Sequence, residues 1–433
     1  MNKGAAVAHS SRRRRGPAKV PPSPREQILT IEYVGHRGDG VAHDDDKSIF
    51  VPGTLAGETV RAEVSGERGR AIEVLQAAPG RIDPSCPHFG TCGGCTSQHM
   101  TDAAYTDWKQ GIVEAALRHR GLSPVIEPLL DAHGLGRRRA TLHARRTGTG
   151  WTVGYAEARS HRVLDLDSCP ILARDLARAP AIVRDLASII PRIDRFDAQL
   201  TATAGGIDVH LIGVTEPDQA ARAALAAIAD RLDLARLAID GETIVERRSP
   251  RIAMGEAVVA PPPGAFLQAT AAGELALANL VVAHLGAARR IADLFCGLGP
   301  FALRLAASAS VYAADTEPAS IAALTRAARA VPKLRPIHAE IRDLFVRPLQ
   351  GAELDRFDGV VFDPPRAGAE AQARALAAAH VPLVVSVSCD AATFARDAAI
   401  LTGGGYRLDR VAPIDQFKWT PHVEIVGSFN HAA

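Results

Sequence analysis

The sequence predicts an α/β protein. A mostly parallel, doubly wound, Rossmann-like sheet is expected at its carboxy-terminal end, preceded by a small antiparallel β-barrel and a mixed α+β centre. Three observations carry this. From residue 263 onward, apolar strands alternate with helical stretches: helix 269–285, strand IADLF (291–295), helix 300–308, strand VYAAD (311–315), helix 317–330, strand GVVFD (359–363), helix 369–379 and strand LVVSVS (383–388). Such alternation winds into a parallel sheet with helices on both faces. Between residues 25 and 80, ILTIEYVG (28–35), KSIFVPG (47–53), ETVRAEVSG (58–66) and AIEVLQAA (71–78) are short strands separated by Gly, Asp and His turns, a spacing that suits a small barrel. The PPPG at 261–264 marks a hinge between the centre and the alternating region.

Taken in order, residues 1–24 form a tail. Its first twenty residues hold Lys3, Arg12, Arg13, Arg14, Arg15 and Lys19 with no acid, and Pro21, Pro22 and Pro24 close it. That composition is a disordered basic arm, suited to nucleic acid or simply solvated. Residues 25–80 are the barrel. Residues 81–262 form the central domain, in which RRRATLHARR (137–146) and WTVGYAEA (151–158) have the pattern of strands with basic faces, while 170–190 and 216–232 have that of amphipathic helices. Residues 263–433 are the doubly wound domain. Across the 433 residues, 50 Lys and Arg nearly balance 48 Asp and Glu, so net charge alone names no partner. No signal peptide and no apolar run of membrane-spanning length is present, so a cytoplasmic monomer without a membrane partner is expected. In that compartment its six cysteines are expected to be reduced, which favours metal or catalytic duty over disulfides.

The strand–turn–helix IADLFCGLGPFAL (291–303) places Gly297 and Gly299 at a strand's carboxy-terminal edge, where a backbone can approach a ligand closely. The next strand ends in Asp315, an acid positioned for two ribose hydroxyls. The full glycine pattern of a pyrophosphate cradle is missing. S-adenosylmethionine is therefore favoured over a dinucleotide. Asp343, after HAEIR, is a candidate for the adenine amino group or an ordinary loop acid. FDPPRAG (362–368) forms a rigid platform that aims Asp363 beside the cofactor. Arg366 stands where amine-directed methyltransferases place an aromatic residue, which counts against amine methylation. Cys389, at the end of LVVSVSC and before a helix, is a candidate nucleophile whose pKa the helix would lower from about 8.5, or else a buried cysteine. His422 and Glu424 enter the final strand.

Together, FCGLGPF, DPPRAG, SCDAATFARD and TPHVE, in this order, resemble the RNA uracil-C5 methyltransferases. GDGVAHDDDKSIFVPGTLAGETV is similar to the OB-like TRAM domain of that family. CPHFGTCGGCTSQH, with three of the six cysteines, is similar to its iron–sulfur motif, for which the resemblance supplies Cys169 as the fourth ligand. The resemblance covers nearly all the chain except the tail. It implies a class I S-adenosylmethionine-dependent methyltransferase domain acting on RNA, most similar to the branch directed at 23S ribosomal RNA. It also implies cofactor contacts from Gln268, Phe295, Gly297, Asp315, Asp343 and Asp363, Cys389 as nucleophile, Glu424 as base, and Cys86, Cys92, Cys95 and Cys169 as cluster ligands. Their C-x5-C-x2-C spacing with one remote partner suits a [4Fe–4S] cluster better than the paired C-x2-C of a zinc ribbon, which is the alternative. The barrel, the basic residues Arg137–Arg139 and Arg145–Arg146, and the arm would supply phosphate contacts.

The sequence departs from the family at Pro300, usually Asn, and Lys418, usually Pro. A tRNA-directed enzyme, an RNA cytosine-C5 methyltransferase and a non-catalytic RNA-binding factor are the alternative functions. Cytosine-C5 enzymes usually carry a second cysteine where this chain has Asp363, Pro364 and Pro365. Cys296 has no chemical role in any of these readings.

Overall fold

The computed structural model describes residues 23–45, 47–148, 150–190 and 193–431. The basic arm therefore lies, up to residue 22, outside the described residues. The chain divides into two compact units, one ending at Pro79 and one starting at Gly80.

The first unit is one six-stranded sheet made of Arg25–Thr30, Tyr33–Val34, Asp39–Asp44, Lys47–Pro52, Thr59–Ser65 and Arg68–Gln76. Its strand order is first, fifth, sixth, fourth, third, second. Leu29 and Val60 from one side of that order nevertheless share a core with Ala42, Ile49 and Val51 from the other. Strands so far apart in the order can meet only if the sheet curls on itself, as in a small barrel.

The second unit holds two large sheets. One is six-stranded, in the order Gly150–Gly154, Arg139–Thr147, Arg195–Thr203, Gly206–Ile212, Leu234–Ile239, Glu242–Glu246. Helices Ala179–Ala187 and Gln219–Arg231 bury Ile182, Val183, Leu186, Leu225 and Ile228 in its core.

The other sheet positions the site. Its parallel strands lie in the order Ile337–Ile341, Ser310–Asp315, Arg290–Leu294, Gly359–Phe362, Leu383–Ser388. Glu424–His431 follows antiparallel, and Tyr406–Asp415 pairs antiparallel beyond it. The parallel strands are apolar almost throughout because helices cover both faces: all four residues of Gly359–Phe362 are buried. From Arg290–Leu294 the chain steps outward in one direction and then in the other, so the switch point where such sheets bind ligands lies between this strand and Gly359–Phe362. Short strands Val125–Ile126 and Leu130–Asp131 extend the sheet by pairing with Tyr406–Asp415, so residues assigned from sequence to the centre help complete it. Among the described residues no helix is long and apolar enough to cross a membrane.

Candidate active site

The turn after Arg290–Leu294 is set by backbone sterics. Phe295, Gly297 and Gly299 all have positive φ, at 61°, 51° and 83°. A Cβ on Gly299 would lie 2.4 Å from Leu324 Cδ1, whereas one on Gly297 would meet nothing within 4 Å. Gly299 is thus required by packing, and Gly297 leaves an open face. Phe295, a non-glycine residue held in this region, marks a strained position of the kind found at ligand sites.

Asp315, at the tip of the next strand, ties that turn down. Its Oδ2 accepts from the Gly297 N–H at 2.9 Å and its Oδ1 from the Glu317 N–H at 2.9 Å. A carboxylate has about four acceptor positions, so it retains capacity for ribose hydroxyls. Asp343 caps the next loop through the N–H groups of Phe345 (3.0 Å) and Val346 (3.3 Å). This brings Phe345 against Phe295, with ring centroids 5.3 Å apart. Beneath the turn lies Asp293, which the sequence reading passed over although an acid inside an apolar strand was the signal. It is fully buried, and its Oδ2 accepts from the Ala302 N–H at 2.8 Å. Burial pushes its carboxyl well above the usual range.

At the switch point, Asp363 and Glu424 are joined through two amides. Gln268 Nε2 donates to Asp363 Oδ2 at 3.1 Å, and Gln268 Oε1 accepts from Gln416 Nε2 at 2.6 Å. Gln416 spends its second N–H on Glu424 Oε1 at 2.9 Å. Gln416 is the residue sequence reasoning missed here. It sits in the segment Asp415–Phe417, where only the following Lys418 had drawn attention. Glu424 is buried, and among the described residues its Oε2 has no hydrogen-bond partner. Burial raises both carboxyls, and the charge of Asp363 raises Glu424 further.

Cys389 completes the group. The antiparallel register pairs Ser388 with Ile425, so the next position sets Cys389 beside Glu424. The thiol is half-buried, and burial pushes it up to about 11, with Glu424 and Asp363 adding and Arg366 opposing. This corrects the expectation that the following helix lowers it. Asp390 caps that helix, its Oδ1 accepting from the N–H groups of Ala392 (3.0 Å) and Thr393 (2.9 Å), and so takes the helix terminus for itself. Arg366, at the rim, meets His422 Nε2 at 3.1 Å. Burial, then the charge of Arg366, holds His422 down to about 4, so its ring stays neutral and accepts.

The basic strand is also corrected in part. Arg138 is buried, donating to Glu274 Oε2 at 2.7 Å and to the Gln268 carbonyl at 3.1 Å. It holds Gln268 in place and is not available to phosphate. Arg145 is tied to Asp197 at 3.3 Å, and Arg146 lies over the Trp151 ring. Arg137 and Arg139 lie over Phe417 and Phe266 beside the site, at 5.8 and 4.7 Å.

The four predicted cluster cysteines are all free and half-buried. Burial raises Cys92, Cys95 and Cys169, Cys95 to about 11, and neighbouring cysteine charges add in each case. The cysteines thus lie near enough to feel one another's charge, although among the described residues no group of three or more His, Cys, Asp or Glu side chains is arranged to hold a metal ion. The Gly-rich loop is also held by backbone bonds: Gly93 N–H to Ala156, Ala158 N–H to Thr91, and Thr96 N–H to Trp419, at 3.0, 2.9 and 2.8 Å.

A family model described as tRNA (Uracil-5-)-methyltransferase matches residues 227–430, and one for the TRAM domain matches residues 25–66. The chain is 45% identical over 399 residues to an uncharacterised RNA methyltransferase of Brucella suis, covering 92% of this chain and 96% of that one. It is 34% identical over 440 residues to the 23S rRNA (uracil(1939)-C(5))-methyltransferase RlmD of Chromohalobacter salexigens, covering 95% and 91%. In fold it is similar to the tRNA (uracil-54, C5)-methyltransferase of Pyrococcus abyssi solved with S-adenosyl-L-homocysteine. The TM-score is 0.72 at 21% identity, over 93% of this chain and 100% of the other.

Proposed function

This chain belongs to the RNA methyltransferases that join a TRAM domain to a tRNA (uracil-5-)-methyltransferase domain, and from that premise we propose that it methylates C5 of a uridine in 23S ribosomal RNA with S-adenosylmethionine. The observation that carries the reading is the juxtaposition of Cys389 and Glu424, with Asp363 linked to Glu424 through Gln268 and Gln416. The 34% relative directed at 23S RNA supports the target.

Uracil C5 is a weak nucleophile. In the proposed path the Cys389 thiolate adds to C6, and the C5=C6 electron pair moves to the C4 carbonyl as an enolate. C5 then attacks the methyl carbon of S-adenosylmethionine, which leaves as S-adenosylhomocysteine. Glu424 takes the C5 proton, the double bond re-forms and the Cys389 thiolate departs. A carboxylate raised by burial is a stronger base than an exposed one, which suits Glu424 to this step. The uridine must be unpaired or flipped to reach Cys389, at a cost of a few kcal/mol, so loops are the favoured targets. Loss of one 5-methyluridine from 23S RNA is expected in a strain deleted for this protein. Loss from tRNA instead would move the target, and unchanged 5-methyluridine in every RNA would contradict the function.

Gly297, Phe295, Asp315 and Asp343 surround the place proposed for the adenosyl group, Asp315 serving the ribose and Asp343 the adenine. Asp315→Ala is expected to weaken S-adenosylmethionine binding about tenfold or more, as loss of charge-assisted hydrogen bonds does, while RNA affinity holds. Unchanged cofactor affinity by calorimetry would place the adenosyl group elsewhere.

Cys86, Cys92, Cys95 and Cys169 are proposed to hold a [4Fe–4S] cluster. The support is the donor set itself: three thiols from one short segment and a fourth from distant Cys169, whose mutual repulsion as thiolates metal ligation would reverse. Methyl transfer needs no electron, so the cluster's contribution would be structural. Protein purified without oxygen is expected to contain iron and acid-labile sulfide in equal amounts; stoichiometric zinc without sulfide, or no metal, would overturn the assignment.

A further inference from the structure

Helix Asp102–His119 buries a lysine at its centre. Lys109 has no exposed side-chain surface, and its ammonium spends three hydrogen bonds on one segment. Nζ donates to Asp415 Oδ1 at 2.6 Å, to the His422 carbonyl at 2.6 Å and to the Phe417 carbonyl at 3.3 Å. One turn earlier on the same face, Tyr105 donates to Asp415 Oδ2 at 2.7 Å and accepts from the Trp419 N–H at 2.9 Å. Asp415 ends one strand of the sheet, and Glu424 begins its neighbour. The bonds therefore fasten both ends and the tip of the connection between them. That connection carries Gln416 beside Asp415, and Glu424 lies two residues past His422.

An ammonium with no water contact is costly to bury, and a leucine or methionine would fill the same space more cheaply. What the ammonium adds is direction, because its three donors fix the carbonyls of Phe417 and His422 at set positions around one point. The connection closes on itself locally, Phe417 N–H donating to Asp415 Oδ1, the Thr420 N–H and hydroxyl to the Phe417 carbonyl and His422 N–H to Thr420 Oγ1, while Trp419 at its tip has a φ of 62° and its carbonyl accepts from the Thr96 N–H. Without Lys109, the backbone that sets the Gln416 amide and the Glu424 carboxylate would lose its ties to Asp415, Phe417 and His422, keeping only those from Tyr105 and Thr96 on the helix side.

We propose that Lys109, held with Asp415 and Tyr105, is a positioning residue for proton removal, fixing the 415–424 connection so that Gln416 and Glu424 meet the uracil at C5. This rests on the reading of Glu424 as the base. It calls for loss chiefly of one step, because Cys389 and the adenosyl-side residues Phe295, Gly297, Asp315 and Asp343 lie on other elements, and only Gln268 touches the connection, through Gln416.

The test compares Lys109→Met, Tyr105→Phe and Glu424→Gln, each as full-length protein with target RNA and S-adenosylmethionine carrying a labelled methyl group. Misplacement of a catalytic group by about 1 Å can cost about 10²-fold, and Lys109→Met is expected to lose about 10–10²-fold in kcat. KM for S-adenosylmethionine should hold, and methyl-labelled RNA should stay covalently attached to protein, as in Glu424→Gln. Tyr105→Phe removes two hydrogen bonds without a buried charge change and is expected to show the same trapped species at a lower level. If Lys109→Met does not fold, Tyr105→Phe decides the matter. Trapped adduct in Glu424→Gln but in neither of the other variants overturns the inference alone. No adduct in Glu424→Gln overturns the base assignment, and this inference with it.

Discussion

Cys389→Ala is expected to abolish methyl transfer, a loss of at least about 10⁴-fold, while RNA and S-adenosylmethionine still bind. Without a thiolate at C6 no enolate forms, and C5 has no electron density with which to reach the methyl group. The fold is not at risk: Cys389 lies past the last paired residue of its strand, and Asp390, not the thiol, caps the helix. Filter binding of RNA should match the unaltered chain, and no protein–RNA species should survive denaturing electrophoresis. Residual turnover above that level would move the nucleophile elsewhere or remove the covalent step.

Glu424→Gln is the second large effect, and it falls on a later step. The substitution keeps shape, and its amide oxygen can still accept from Gln416 Nε2, so the chain of amides to Asp363 is retained. Thiolate addition and methyl transfer can proceed, whereas the C5 proton has no acceptor. Removing a general base costs about 10²–10⁴-fold in turnover. The charge of Glu424 is also one of the causes that raise the Cys389 thiol. With that charge gone the thiol ionises at lower pH, so adduct formation should begin at lower pH in the variant than in the unaltered chain.

The doubly wound sheet was legible because its strands are buried on both faces and read as largely apolar runs, as in Gly359–Phe362. Strand Tyr406–Asp415 was not, although it lies inside the sheet. Arg407, Asp409, Arg410 and Pro413 interrupt it, and only pairing on both sides gives it a place. Helix Asp102–His119 was missed for a related reason. Its buried positions Tyr105, Lys109, Val113 and Leu117 are spaced by four, but a lysine in the second of them breaks the apolar stripe on which periodicity depends. Cys389 and Glu424 could be named from family resemblance and from their strand ends, yet nothing in the 34 positions of sequence between them tells that an antiparallel register sets them side by side. Local sequence also misled where a tertiary partner competes. Arg138 looked like one of a basic run until Glu274 took it into the interior, and the helix terminus expected to acidify Cys389 is satisfied by Asp390.

The most direct test of uracil-C5 chemistry at this site is the mass of the species trapped by Glu424→Gln after incubation with target RNA and S-adenosylmethionine, followed by digestion to a peptide–nucleotide conjugate. The expected result is a single conjugate in which Cys389 is bonded to C6 of a uridine that already carries the transferred methyl group and keeps its C5 proton. A conjugate lacking the methyl group, a linkage at another residue, or free 5-methyluridine released at the normal rate would contradict it.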